Sequence, residues 1–288
     1  MSDMRQGSRR GALPPFAVIL GTNEIASAVA VHLFWAGYGV VLSHDPVPPV
    51  IRRRMAFHDA LYDDAAALAG VVAARAGSSM EIRERLTTGA GVMVTDLGLL
   101  DLIVIGAIDI LVDARMHKYQ VTPDLRRLGQ FTVGVGPGFS SGFNCDVAVE
   151  TRPGLAGRVI TDGTTAPPDG VPSSLGGQLA ARFARAEAAG RWHTAIEIGT
   201  RVYKDFIVGY LAGTPVRAPF DGFVRGVARD GTEVPKGMKL LEVDPRGRSA
   251  SWTGIDTRAG AIAKGVTRAL ARHKAERATS APQMHLVR

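Results

Sequence analysis

The chain has 288 residues, 46% of them hydrophobic, which is enough for two domains and a sizeable core. One cysteine excludes an internal disulfide and an all-cysteine metal site, and a reducing, cytoplasmic setting is expected. The net charge of +7 suggests nucleic acid until it is located: residues 1–15 carry +2, residues 264–288 carry +5, and the rest is neutral, so neither nucleic-acid nor membrane binding is expected.

No apolar stretch follows the basic start, so no leader is expected and residues 1–15 read as a disordered basic N-terminus. "FAVILG" then reads as a strand, Phe16 to Gly21, and Ile25, Val29 and Leu33 recur at helical spacing up to Gly37. "YGVVLSHD" is the next strand, with Asp45 at its end. This strand, glycine turn, helix, strand, acid order opens a dinucleotide-binding unit, in which a glycine turn and free helix amides meet a pyrophosphate. A G-x-G-x-x-G pattern would need glycines at 23 and 26, where the chain has Asn23 and Ala26. Gly21, Asn23 and Asp45 are nevertheless candidate dinucleotide contacts, and NAD or NADP the candidate cofactor. Arg52 and Arg53, after the prolines at 46, 48 and 49, join them because that edge of an open α/β sheet receives ligands.

"SSMEIRERLTTG" is a capped helix, "GVMVTD" a strand, "LGLLDLIVIGA" a buried helix, and "DILVDAR" a strand ending near Asp113 and Arg115. A helix is expected around "TPDLRRLG", then the strand "FTVGVG". Alternating strands and helices predict a mostly parallel, Rossmann-like sheet over residues 16–195. The segment "GVGPGFSSGFNCDVAVET" starts at the end of one of its strands. Gly134, Gly136, Gly138 and Gly142 could present unshielded N–H groups as an anion-binding nest. Cys145 and Glu150 follow, with Asp146 between them. A lone cysteine there is either a nucleophile or a small buried hydrophobe, and both readings stay open. Asp113, Arg115, the four glycines, Cys145 and Glu150 form the preferred ligand site. No metal-ligand cluster is evident, and no catalytic residue can be named.

Residues 196–250 change to short β-branched runs between glycine turns. "VRAPFDGFV" and "DGTEVPKGMKLLEVD" suggest a small hammerhead-like β-barrel. The place of a carrier lysine reads "VDPRG", so neither biotin nor lipoate is expected. A terminal helix over 251–275 and a tail over 276–288 complete the chain. A homo-oligomer is compatible with this organisation.

Taken in order, "DILVDARM", "VGVGPGF", "DVAVET", "GRVI", "VRAPFDGFVRGV" and "VPKGMKLLEVDPR" resemble the selenium-dependent molybdenum hydroxylase system proteins, relatives of the xanthine dehydrogenase accessory proteins. The chain departs from that pattern at "GTNE" and at Ser173. The resemblance implies a maturation protein or chaperone that binds molybdenum cofactor and delivers it to a molybdenum hydroxylase apoenzyme. In that setting the glycine loop would wrap a pterin phosphate and Cys145 would contact molybdenum or carry sulfur or selenium. An NAD(P)-dependent oxidoreductase is the alternative, and an empty scaffold a third reading.

Overall fold

A computed structural model describes residues 13–64, 66–89, 91–118 and 120–280. The expected basic N-terminus and the last eight residues of the expected tail lie largely or wholly outside these. The first strand, β1 (Phe16–Leu20), is buried along its whole length, as a continuous apolar run must be when both faces of a parallel sheet are covered. Helix α1 (Glu24–Trp35) follows, then β2 (Gly39–Ser43), β3 (Ala66–Leu68), β4 (Val71–Arg75), α2 (Ser79–Thr88), β5 (Val92–Thr95), a single turn α3 (Leu99–Leu102), β6 (Ile110–Asp113), β7 (Thr132–Val135), β8 (Val147–Val149) and β9 (Val159–Ile160).

These nine strands form one sheet in the order β3-β4-β5-β2-β1-β6-β7-β8-β9. The seven inner strands run parallel, and β3 and β9 close the edges antiparallel. Chain order reverses at β1, which has β2 on one side and β6 on the other, with Leu20 opposite both Ser43 and Asp113. That reversal is the topological switch point, outside which open α/β sheets bind ligands.

Of two expected helices, one is cut to a single turn and the other is absent. The run after Gly98 is helical for one turn only, and "TPDLRRLG" is a turn. There Asp124 accepts from the Arg126 amide and guanidinium, and buried Leu125 donates to the Asn144 carbonyl, so local side-chain bonds replace the helical ladder.

The antiparallel part begins earlier than the expected boundary at 196. Strand β10 (Phe183–Arg185) is followed by β11 (Gly190–His193), β12 (Arg201–Val202), β13 (Ile207–Leu211), β14 (Thr214–Arg217), β15 (Gly222–Val227), β16 (Glu233–Val234) and β17 (Lys239–Asp244). They make two four-stranded sheets, β10-β17-β15-β12 and β14-β13-β11-β16. The expected closed barrel is therefore corrected. Among the described residues no ladder joins the two sheets; they are held by a shared core around Trp192, Val224, Leu240 and Val243. The Trp192 indole donates to the Ala228 carbonyl at 3.2 Å, which satisfies its one polar atom in that core.

Helix α4 (Thr257–Ser280) begins and ends later than the expected 251–275 and packs on α1, so much of the basic C-terminal segment is structured. Ala26, Val29 and Ala30 share a core with Ala259, Ile262, Ala263 and Val266. Residues 50–53 stitch the two units together. Ile51 packs in the antiparallel core, its carbonyl accepts from the Val227 amide, and Arg53 donates to the Val227 carbonyl. Gly226 permits this approach, since a Cβ there would lie 2.8 Å from the Ile51 oxygen. No helix among the described residues is long and apolar enough to cross a membrane.

Candidate functional site: a cationic cleft at the sheet edge

Between the switch point and the antiparallel unit lies a cleft of about 480 Å³. Its floor is the turn after β1 (Asn23, Glu24) and the segment after β6 (Arg115 to Lys118). One wall is the proline-rich stretch from Val47 to Arg52. The opposite wall comes from residues 150–153 and 166–173. Arg182, Arg185, Lys239 and Arg258 close it from the antiparallel unit and the start of α4. The lining holds eight Arg or Lys against three Asp or Glu, beside apolar surface from prolines, Val47, Val50, Met116 and Met238.

The charges fall into two groups. The first is mutually neutralised. Glu242 is fully buried and accepts from Arg52 at 2.7 and 3.0 Å and from Arg182 at 2.9 Å. Burial alone would raise its carboxyl, but Arg52, Arg182 and Arg225 hold it at about 2. Arg52 also reaches Glu24 at 3.0 Å. Behind the floor, Asp113 takes the Arg115 guanidinium at 2.6 Å and the Arg115 amide at 3.1 Å, and Asp45 lies 3.2 Å from His117. Among acids of the rim, Glu150 is buried and accepts from the Thr151, Arg152 and Ala166 amides, so it ties two loops together.

The second group is not neutralised. The Lys239 side chain makes no hydrogen bond or ion pair with the described residues, and its nitrogen sits 3.7 Å from the centre of the Phe183 ring. Burial, with Arg52 and Lys118 nearby, pulls its ammonium down to about 7. Among the described residues Arg258 donates only to the Thr151 carbonyl, at 3.0 Å, and its burial lowers it too. Lys118, at the exposed rim, is lowered by burial of its stem and by Arg258 and Arg185. Arg185 donates to the Gly237 carbonyl.

The structure thus gathers Asn23, Arg52, Arg115 and Glu150 at one cleft, with Asp45 and Asp113 behind Arg115. The other sequence-expected residues stand apart. Asn23 caps α1: its side-chain oxygen accepts from the Ile25 and Ala26 amides at 2.9 and 3.0 Å, and its amide donates to the Ala114 carbonyl. The amides expected to meet a pyrophosphate are therefore occupied by the chain itself. Gly21 has φ +107 and is pressed against Ala114, which accounts for glycine there. Arg53 is engaged by Asp59 at 2.6 Å.

The glycine loop reaches the cleft through Pro137. Its amides are largely used internally: Gly136 donates to Val149, Gly142 to Cys145, and Ser140 to the Asn144 side chain. Gly134 leaves room for Phe139, whose ring would stand 2.1 Å from a Cβ. Gly138, with φ +89, sits against Thr122. Cys145 is fully buried in the core with Phe139 and Ala148; burial pushes its thiol up to about 12. Of the two readings of this cysteine, the geometry gives the buried hydrophobe.

Lys118, Arg182, Arg185, Lys239 and Arg258 were not visible as site residues in the sequence. Only Arg258 carried a signal. It lies in the first turn of α4, just after the capping Asp256, where a cation is unfavourable to the helix dipole.

No protein-family model matches the chain. It is 33% identical over 262 residues, 88% of this chain, to an Escherichia coli (strain K12) protein described as "Uncharacterized protein YqeB". The chain spans about half (47%) of the length of that relative. Among solved structures it is similar to a succinylglutamate desuccinylase/aspartoacylase from Rhodobacter sphaeroides, with 14% identity, 81% of this chain and 85% of that one covered, and a TM-score of 0.26. An aspartoacylase family protein from Mesorhizobium loti gives 10%, 81%, 85% and 0.24. The product-bound ectoine utilization protein EutE (DoeB) from Ruegeria pomeroyi gives 12%, 80%, 85% and 0.23. None of the three solved structures is described as a molybdenum hydroxylase maturation protein or an NAD(P) oxidoreductase. The expected family, the molybdenum cofactor carrier or chaperone function with its apoenzyme partner, and the oxidoreductase alternative are corrected accordingly. At TM-scores this low the likeness assigns no chemistry to this chain.

Proposed function

We propose that this chain binds a small organic anion with an apolar body in the cleft between the Rossmann-like sheet edge and the antiparallel unit. The observation that carries this reading is the set of lining cations left after internal pairing: Arg52, Arg182, Arg115 and Arg152 have carboxylate partners, whereas Lys118, Arg185, Lys239 and Arg258 have none among the described residues. Like charges held together in a partly buried space raise the free energy of the empty site, and an anion lowers it. Arg115, Arg185 and Arg258 offer donors for phosphate or carboxylate oxygens. The prolines, Val50 and Met116 offer apolar contact for the remainder of the ligand.

Inorganic pyrophosphate tests the charged half of the site by calorimetric titration. Binding should weaken steeply with salt, and Arg258→Glu should weaken it by roughly tenfold or more, equivalent to about 1.4 kcal/mol. Absence of binding at low salt, or equal affinity in Arg258→Glu, would remove this function from the cleft.

A further inference from the structure

Lys239 opens β17 where that strand leaves the Gly237 turn, directly opposite Arg185 of β10. Its amine faces the cleft, and among the described residues no carboxylate pairs with it. Its neighbour Glu242, on the same strand, is already taken by Arg52 and Arg182. The face of Phe183 lies 3.7 Å away, which shields one side of the amine from water. Of the charges around the remaining space, Arg52 and Lys118 disfavour the ammonium, while Glu242 and Glu24, both engaged by Arg52, act against them without outweighing burial. A lysine that served only as a surface charge would extend into solvent, as Lys236 does on the adjacent turn.

We propose that Lys239 is a nucleophilic amine that forms an imine with an aldehyde or ketone bearing an anionic group. This assignment rests on the anion-binding reading of the cleft and names the reactive class of its ligand. The unprotonated Nζ attacks the carbonyl carbon, and one amine proton passes to the oxygen, which becomes a hydroxyl. That hydroxyl leaves with the second amine proton as water while the nitrogen lone pair forms the C=N bond, so the step needs no oxidant or reductant. The anionic group, held by cations such as Arg185 and Arg258, would fix the carbonyl beside the amine. Desolvation beside other cations is what frees a lysine for this chemistry. With its ammonium pulled down to about 7, a substantial fraction of Lys239 is unprotonated at neutral pH, orders of magnitude more than for an ordinary lysine.

The test uses the full chain at pH 7 with two probes, pyruvate and pyridoxal 5′-phosphate, each followed by borohydride. Hydride reduces the imine to a stable secondary amine, and peptide mass spectrometry locates it. Lys239 should be labelled at least roughly tenfold faster than exposed Lys204 and Lys236, with a pH midpoint near 7. Pyrophosphate should suppress the labelling. Lys239→Arg keeps the charge and should give no adduct at this position, while Lys236→Arg should leave the Lys239 adduct in place. Labelling by one probe alone would tell a carboxylate-bearing from a phosphate-bearing carbonyl. If pyrophosphate binds and neither probe marks Lys239 ahead of Lys236, the imine assignment fails and the anion cleft stands. If Lys239 is labelled but pyrophosphate does not protect it, the link to the cleft fails. If pyrophosphate does not bind and Lys239 is not labelled, both readings fail.

Discussion

The glycine loop from Gly134 to Gly142 and the seam around Glu242 are both rich in hydrogen-bond donors, and they use them in opposite ways. In the loop the donors turn inward: Gly136, Ser140 and Gly142 find acceptors within the loop or on the next strand, and the Asn144 amide closes on the Gly138 carbonyl. At the seam, Glu242 neutralises Arg52 and Arg182, yet Lys239 and Arg258 nearby receive no such partner among the described residues. Capacity for a ligand follows from donors left over after folding, not from donors present in the sequence. The seam has a remainder, and most of the loop has none.

The largest expected effect comes from upsetting the balanced half of the seam. Glu242→Gln leaves Arg52, Arg182 and Arg225 facing one another in a buried space, and should cost about 3–5 kcal/mol. Denaturant unfolding at pH 6 measures it. The same carboxyl makes the effect depend on pH. Its folded value, about 2, lies below its unfolded value, so its stabilisation is present above about pH 4.5 and declines as pH falls towards 2. The deficit of Glu242→Gln should therefore shrink between pH 6 and pH 3. A deficit under about 1 kcal/mol at pH 6 would mean that solvent already screens these charges, and the contrast with the loop would weaken.

The contrast also explains what could be read from the chain. The parallel sheet was legible because "FAVILG", "YGVVLSHD" and "DILVDAR" are apolar runs bounded by turns, and their order puts Arg115 and Asn23 at one edge. The short helix after Gly98 was not, because apolar periodicity does not show where tertiary packing stops a helix. The closure of the antiparallel unit was equally hidden, since short strands are compatible with a barrel or with two sheets. Arg52 was legible as an edge residue, but its partner Glu242 stands 190 positions later. Lys239 looks in sequence like any lysine after a glycine turn. Its chemistry comes from burial and from Arg52 and Lys118, which only the fold brings to it.

A smaller effect separates packing from ligand contact in the loop. Gly134→Ala would place a methyl group against the buried Phe139 ring, costing about 1–3 kcal/mol as overpacking. Pyrophosphate affinity should stay as in the parent chain. Lost affinity with unchanged stability would reverse the comparison and make the loop the anion site.

The smallest effect concerns Cys145, whose rarity drew attention to the loop. It has no exposed surface, its sulfur faces the Ser140 carbonyl at 3.6 Å, and burial holds its thiol at about 12. Thiolate, not thiol, reacts, so the folded protein at pH 8 should resist a thiol reagent, and the unfolded chain should take up one equivalent. Cys145→Ala should cost about 1 kcal/mol, the loss of a small buried group. Burial favours the neutral form of both Cys145 and Lys239, with opposite consequences: it silences a thiol and activates an amine. Rapid labelling of Cys145 in the native protein would show that the loop opens to solvent, and its inward-turned amides would then be available to a ligand after all.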